Sequence, residues 1–398
     1  MKKGWLTRTI GDVCEFKRGL TYAKGDEVDF SDNVVLRATN IDLATNLLIF
    51  DEMKYISGKV VVPESKKVKK GSLMICMASG SKSHLGKVAF IDDDYGYAFG
   101  GFMGMLTPVN GLWPKYLFHL MTSEDYKDFI GALSDGANIN NLTFDKLKVF
   151  PVPVPPLAEQ QRIVGLLDEA FEGLATAKAN AEKNLQNARA LFESHLQSVF
   201  TQRGPGWVEK RFDEVCAITS TLVDPRKEEY LDLTHVGAGN IESKTGVFVD
   251  LKTAREEGLI SGKFLFDDSM VLYSKIRPYL MKVARPYFEG LCSADMYPLS
   301  PLPNAVTRDY LFHLLLSKHF TDYAIQGSAR AGMPKVNREH LFEFRVWLPD
   351  VKKQKHLAAK LDALSEETQC LARIYERKLV ALSELKKSLL HQAFSGEL

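Results

Sequence analysis

The sequence predicts an α+β protein made twice over. Two tandem mixed α/β domains are each followed by a long helix, and the two helices pair as an antiparallel coiled coil about a pseudo-two-fold axis. Three observations predict this. Short segments recur at a near-constant offset along the 398 residues. A proline-marked junction leads, once in each half, into a long run of helical pattern. The stretches ahead of those junctions mix β-rich and helical runs. A chain of this length exceeds what one compact core accommodates and suits two or more domains.

The repeat is read from matched segments. WLTRTIGDVC (5–14) matches WVEKRFDEVC (207–216), 202 residues on. GKVAF (86–90) answers MKVAR (281–285) at an offset of 195, and LFHLMTS (117–123) answers LFHLLLS (311–317) at 194. The same 194 relates LQSVF (196–200) to LHQAF (390–394), and Pro155, Gln160, Leu167 and Asp168 to Pro349, Gln354, Leu361 and Asp362. Drift of the offset confines length differences to the front of each copy. A period of about 195 far exceeds a solenoid unit, so each copy is a domain plus a helix. The expected boundaries are 1–153 and 203–348 for the domains, and 154–202 and 349–398 for the helices.

In the front parts, VVLRAT (34–39), SLMICMA (72–78) and SMVLYS (269–274) read as strands between Gly, Asp and Asn turns. PKYLFHLMTSEDYKDFIGAL (114–133) and RDYLFHLLLSKHFTDYAI (308–325) read as helical. Behind the junction, no proline occurs from Leu157 to Phe200. Alternate steps of three and four from Val164 give Leu167, Phe171, Leu174, Lys178, Ala181, Leu185, Ala188, Phe192, His195 and Val199. The second helix gives Leu357, Leu361, Leu364, Thr368, Leu371, Tyr375, Lys378, Leu382, Leu385 and Leu389. These are heptad stripes of a coiled-coil seam. Each helix would span about 66 Å at about 1.5 Å per residue. The stripes permit parallel or antiparallel pairing, and the antiparallel one fits two copies of one plan, with the helices as a ruler between the domains.

Composition excludes several classes. The chain is 45% hydrophobic and 25% charged, with a formal net charge of +1, so any nucleic-acid surface must gather its positive charge on one face. No apolar run approaches the roughly 18 residues of a membrane span. MKKGWLTRTIGDVCEF has no signal core behind its lysines, which points to a cytoplasmic chain. Five scattered cysteines without a C-x-x-C pair fit reduced thiols, not a disulfide framework or a zinc site.

Catalytic motifs are missing. No [DNS]-P-P-[YFW] tetrapeptide occurs, and the single Pro-Pro runs into Leu157. GSKSHLGKV (80–88) has one residue too many between its glycines for a phosphate-binding loop, and Val88 stands where Ser or Thr is required. AFGGFMG (98–104) lacks the following helix of a dinucleotide fold. Glu384 and Lys386, downstream of Pro349-Asp350, imitate a nuclease signature but fall on the second heptad helix. The nine histidines form no H-x-x-x-H cluster, and His195 lies on the stripe itself.

The tandem plan, with PVPVPPLAEQQRIV (151–164) repeated in degenerate form before a second heptad helix, resembles the specificity (S) subunits of type I restriction–modification systems over essentially the whole chain. The second copy departs from the pattern, with Asp350 for Pro156 and Lys353 for Glu159. The resemblance implies two target-recognition domains on double-stranded DNA, two modification (methyltransferase) subunits docked on the chain, and restriction subunits joining for cleavage. No cofactor is implied on this chain; S-adenosylmethionine, ATP and Mg2+ belong to the partner subunits. Docking is assigned to the junctions, at Pro155, Pro156, Leu157, Glu159, Gln160, Pro349 and Gln354. Two other classes stay open: the specificity partner of a fused methyltransferase–endonuclease, and a coiled-coil scaffold that does not bind DNA.

Base reading calls for forked donors and acceptors that reach a groove, and phosphate contacts call for Lys, Arg, Ser and Thr. Three pairs of segments supply them. YSKIRPYLMKVARPY (273–287) brings Lys275, Arg277, Tyr279 and Lys282, and its counterpart SGSKSHLGKVAF (79–90) brings Ser79, Lys82, His84 and Lys87. DGANINNLTFDKL (135–147) offers Asn138 and Asn140 opposite Arg330 and Lys335 of ARAGMPKVNREHL (329–341). Helix capping competes for Asn141, Thr143 and Asn337. RATNI (37–41) and GAGNI (237–241) place Arg37 and Asn40 opposite Asn240. A basic surface loop is the alternative for the first of these pairs.

Overall fold

A computed structural model describes residues 4–80, 82–134, 141–328 and 334–398. The chain forms two compact units, Met1–Ala181 with Arg377–Leu398, and Glu182–Glu376. The division cuts both long helices, so each unit packs half of each helix instead of ending at a domain–helix boundary.

The first unit is built on a four-stranded antiparallel sheet in the order Cys14–Arg18, Met103–Pro108, Leu73–Cys76, Val88–Phe90. Leu73–Cys76 is buried at every position, as expected for a short apolar run flanked by turns. A second four-stranded sheet runs Glu27–Val28, Lys54–Ile56, Val34–Leu36, Ala98–Phe99, its last pair parallel. Leu6–Thr9 pairs with Pro151–Val154 just before the first long helix.

The second unit repeats this plan. Cys216–Ala217, Met296–Pro301, Val271–Ser274 and Val283–Ala284 form the first sheet. A five-stranded sheet contains Thr234–Val236 parallel to Gly290–Cys292, and Val208–Arg211 pairs with Arg345–Leu348.

The stretches 114–133 and 308–325 are each two helices: Pro114–Leu120 with Glu124–Ser134, and Arg308–Leu316 with Lys318–Gln326. A buried serine makes each break. Ser123 Oγ donates to Leu120 O and accepts from Tyr126 N–H; Ser317 Oγ donates to Leu314 O and accepts from Phe320 N–H. Each hydroxyl closes one helix and caps the next.

The junctions carry a second duplicated device. Gln160 is buried; its Oε1 accepts from Trp113 N–H at 2.7 Å, and its Nε2 donates to Gly111 O at 3.0 Å and Pro155 O at 2.9 Å. Gln354 repeats all three bonds with Thr307 N–H, Ala305 O and Pro349 O, each at 2.9 Å. Two turns on, Asp168 accepts from His119 Nε2 (2.8 Å) and Lys115 Nζ (2.9 Å). Its equivalent Asp362 accepts from His313 Nε2 (2.9 Å) and, bidentately, from Arg285 (2.7 and 3.0 Å). The cation comes from a different strand or helix in each copy, but the carboxylate and histidine are the same.

The hydrogen bond from His119, helped by Lys115, outweighs burial and holds Asp168 down to about 2. Burial opposes ionisation of Asp362, yet His313 and Arg285 together hold it below the usual carboxylate range. Burial pulls the His313 imidazole down, so it donates to Asp362 as a neutral ring. Asp168 ionises more readily in the folded chain than in the unfolded one. Its contribution is therefore complete above about pH 4 and is lost as pH falls through about 2. Asp168→Asn is expected to flatten the acid limb of stability in that window when urea midpoints are compared across pH. Solvent screening of a carboxylate 41% exposed limits the effect to about 1 kcal/mol.

The long helices are Leu157–Thr201 and Val351–Ser395, 45 residues each, or about 68 Å. In the first unit, Ile163, Val164 and Leu167 share a core with Leu390, Ala393 and Phe394. Arg162 there donates to Leu398 O, and Lys386 lies 4.9 Å over the Phe171 ring. In the second unit, Leu196 shares a core with Ala358 and Leu361, and Arg189 pairs with Glu376 at 2.8 Å. In both, the start of one helix meets the end of the other, which is the antiparallel arrangement.

The first helix's stripe holds, with Val164, Leu167, Ala181 and Ala188 buried, except that Lys178 and His195 face solvent and Leu196 is buried instead. The second stripe is corrected by one choice. Leu361 and Thr368 are buried, but Leu371, Lys378 and Leu385 are exposed, while Ala358 is buried and Ser365, Ala372 and Leu379 are half-buried. A heptad anchored at one position leaves a step of three or four to the next, and small residues at the step of four let the helices approach.

Among the described residues, no helix is long and apolar enough to cross a membrane and no His/Cys/Asp/Glu group could hold a metal. Four cysteines are buried and Cys370 is exposed. Burial pushes the Cys14 and Cys292 thiols up to about 12, the behaviour of inert core thiols.

Candidate nucleic-acid interface

In each unit the loop after the central buried strand meets the segment leading into a short capped helix. In the second unit Val336 N–H donates to Lys275 O (2.8 Å), Arg277 N–H donates to Pro334 O (2.9 Å), and Ile276 bridges Lys335. In the first, Leu142 N–H donates to Met77 O (2.7 Å) and Ala78 bridges Asn141. Two of the three candidate segment pairs are thereby joined into one surface, at the same place in both copies. Asn138, Asn140 and Arg330 lie outside the described residues. Thr143 and Asn337 cap the helices Phe144–Lys148 and Arg338–Glu343, accepting from Lys146 N–H and His340 N–H.

The second-unit loop is strained. Arg277 (φ 48°) and Met281 (φ 50°) both take left-handed backbone around the turn Pro278–Leu280, a conformation costing about 1–3 kcal/mol at a non-glycine residue. Pro278 is buried beneath it, so the strain projects Arg277 and Tyr279, the latter 52% exposed. Lys335 is exposed 3.7 Å from Asp295. Lys275 and Lys282 behave otherwise. The Lys275 ammonium is hydrogen-bonded to Ala294 O and lies 5.1 Å over the Tyr297 ring; burial, with Lys335 nearby, pulls its pKa down. Lys282 Nζ donates to Ala238 O at 2.5 Å.

The first unit shows the same division. Lys87, the equivalent of Lys282, is buried with its ammonium on Ile41 O, and burial pulls its pKa down. Ser79 and His84 are half-buried on the loop, and His84 Nδ1 lies 3.4 Å from Ser83 Oγ. Lys82 falls in the turn Lys82–His84. Arg37 is half-buried, and its Nε has no hydrogen-bond partner among the described residues.

Several sequence assignments are corrected by these contacts. Asn40 is buried, its Oδ1 accepting from Arg37 N–H and its Nδ2 donating to Ile49 O and Asp51 O. Asn240 does the same with Gly237 N–H, Val249 O and Asp250 O. Both fasten a hairpin and have no donors left for a base. Lys87, Lys275 and Lys282 tie loops to carbonyls. At the junctions, Pro155, Pro349, Gln160 and Gln354 are buried, which leaves Pro156 and half-exposed Leu157 outward, beside Glu159 paired with Arg162. Asp350, where the first copy has Pro156, caps the second helix by accepting from Lys353 N–H at 2.8 Å.

The sequence reading missed Phe102 and Asp295. Met77 and Ala78 N–H both donate to Phe102 O, and Lys275 N–H donates to Asp295 O, so the two residues occupy one structural position. Phe102 is 73% exposed, whereas Asp295 stands between Lys275 and Lys335. The signal available was position, since both immediately precede the strands Met103–Pro108 and Met296–Pro301.

A family model for the type I restriction modification DNA specificity domain matches twice, over residues 2–185 and 205–377. This chain belongs to that family. The EcoKI specificity subunit of Escherichia coli K12 is 23% identical to it across the whole chain and 90% of that relative. The EcoDI specificity subunit of Escherichia coli is 35% identical over 192 residues, 48% of this chain and 42% of the relative's length. The fold matches a chain solved in work on assembly and conformational transition of the type I R-M system, with a TM-score of 0.75 at 17% identity and 100% and 99% of the two chains covered. It also matches the HsdS subunit from Thermoanaerobacter tengcongensis, with a TM-score of 0.63 at 18% identity and coverage of 100% and 98%.

Proposed function

We propose that this specificity subunit reads a gapped, asymmetric, bipartite site on double-stranded DNA, one half with each unit. The supporting observation is that the duplicated surface carries different side chains: Arg277, Tyr279, Lys335 and Asp295 in the second unit, Ser79, His84 and Phe102 in the first. Unlike readers select unlike half-sites. The paired helices set the length of the unread gap, with the half-sites about one helical turn apart, ~34–36 Å.

In this reading the chain performs no chemistry. Two modification subunits dock on it and restriction subunits join for cleavage, with S-adenosylmethionine, ATP and Mg2+ held by those partners in the cytoplasm. Pro156 and Leu157, exposed at the first junction, are the residues proposed to meet a modification subunit.

Duplex titration at several salt concentrations tests the DNA reading. Affinity is expected to fall with salt at a slope of about −0.9 per neutralised phosphate. Arg277→Ala should cost about 1–3 kcal/mol and relax base preference within one half-site only. Lys335→Ala should lower the salt slope and leave base preference intact. A salt-independent affinity, or loss of preference in both half-sites from Arg277→Ala, would contradict the assignment.

A further inference from the structure

The sequences GGFM (100–103) and SADM (293–296) build one turn twice. In the first unit Met103 N–H donates to Gly100 O at 2.8 Å, and Phe102 O accepts from Met77 N–H (2.9 Å) and Ala78 N–H (3.2 Å). In the second, Met296 N–H donates to Ser293 O at 2.8 Å, and Asp295 O accepts from Lys275 N–H (3.0 Å). The first turn is also wedged against the chain beside it: a Cβ at Gly19 would collide with Gly100 O, and one at Gly101 would lie 3.0 Å from Thr21 Oγ1. Backbone held this closely fixes where the side chains stand. Both stand where the two reading segments of their unit join. Ala78, bonded to Phe102, also bridges Asn141, and Asp295 lies 3.9 Å from Lys275 and 3.7 Å from Lys335.

The two side chains differ in kind. Exposed Phe102 offers a base edge neither donor nor acceptor, only an apolar ring, and the apolar feature of the major groove is the thymine C5 methyl. The Asp295 carboxylate accepts only. Both its lysine distances exceed a hydrogen bond, so it keeps lone pairs for an incoming donor, while the two cations offset its repulsion from phosphates. Cytosine N4 is the donor that suits it; the adenine amino group lies beside the acceptor N7, which repels a carboxylate.

We infer that this turn selects one base in each half-site: Phe102 packs on a thymine methyl, and Asp295 accepts from a cytosine amino group. This rests on the DNA reading above and adds to it one named base on each side of the gap.

The test uses the full chain with its modification subunit, on the half-sites it selects from randomised duplexes. Each thymine of the first half-site, on either strand, is replaced in turn by uracil, which removes only the methyl. One replacement should weaken binding about fourfold, as expected for one buried methyl group, and Phe102→Ala should bind the thymine and uracil duplexes alike. Asp295→Ala should abolish a preference of about tenfold for cytosine at one position of the second half-site. Each variant should keep the parent preferences in the opposite half-site, which reports an intact fold. The inference is overturned by the absence of any uracil penalty, by a penalty that Phe102→Ala does not remove, or by a cytosine preference undiminished in Asp295→Ala. A parent chain with no base preference in either half would instead overturn the DNA reading, and the inference with it.

Discussion

Gln354→Ala is expected to cost the second unit about 3 kcal/mol, and Gln160→Ala the first unit as much, because each removes three hydrogen bonds from a buried site. Truncation strands a backbone N–H and two carbonyls that the glutamine now holds, and each stranded group carries about 1–3 kcal/mol of desolvation penalty. The cavity left by the side chain adds to this. Glutamate in place of glutamine sharpens the comparison. It retains the acceptor for Thr307 N–H but loses the donor and buries a charge facing two carbonyls, so Gln354→Glu should be at least as harmful. Urea unfolding followed by a fluorescence probe in each unit separately measures both. A docking role for these glutamines would give the opposite pattern: normal stability and weakened binding of a partner. Retained stability in Gln354→Ala would show that the clamp does not hold the helix to its domain.

Removing one heptad from the middle of each long helix is expected to shorten the unread gap by about three base pairs and leave both half-sites unchanged. Seven residues are about 10.5 Å of helix at about 1.5 Å each, and three base pairs occupy about 10 Å. A whole heptad preserves the phase of the seam, so the shortened helices still pair through Ala358, Ser365, Ala372 and Leu379 or their successors. Affinity for the parent site should fall to the non-specific level, about 10³-fold or more, and reappear on a site with the shorter gap. Removing four residues from each helix instead breaks the seam phase, and should destabilise the pairing without yielding a new site. Electrophoretic titration on duplexes of graded gap length reads all three outcomes.

The repeat was legible in the sequence because the devices that hold the fold depend on particular chemistry at particular spacing. Ser123 and Ser317, Gln160 and Gln354, and the His119–Asp168 and His313–Asp362 pairs keep one offset because every bond must close in both copies. Their roles were less legible. A glutamine in the first turn of an exposed helix reads as a surface group, and the backbone it clamps lies almost fifty residues earlier. Lys87 and Lys282 read as DNA-facing because they sit in basic loops, but carbonyls of the 38–41 and 238–241 turns claim them. In the second helix leucines flank the seam on both sides, so periodicity alone could not choose between Leu371 and Ala372. Phe102 and Asp295 belong to no period at all and emerge only from strand register.

One chain is expected to read two unlike sequences a set distance apart. Selection from a randomised duplex library by the full chain, in the presence of its modification subunit, tests this most directly. The predicted result is two different short motifs separated by a constant number of unread base pairs. A single contiguous motif, two identical half-sites, or a gap that varies among the selected duplexes would contradict it.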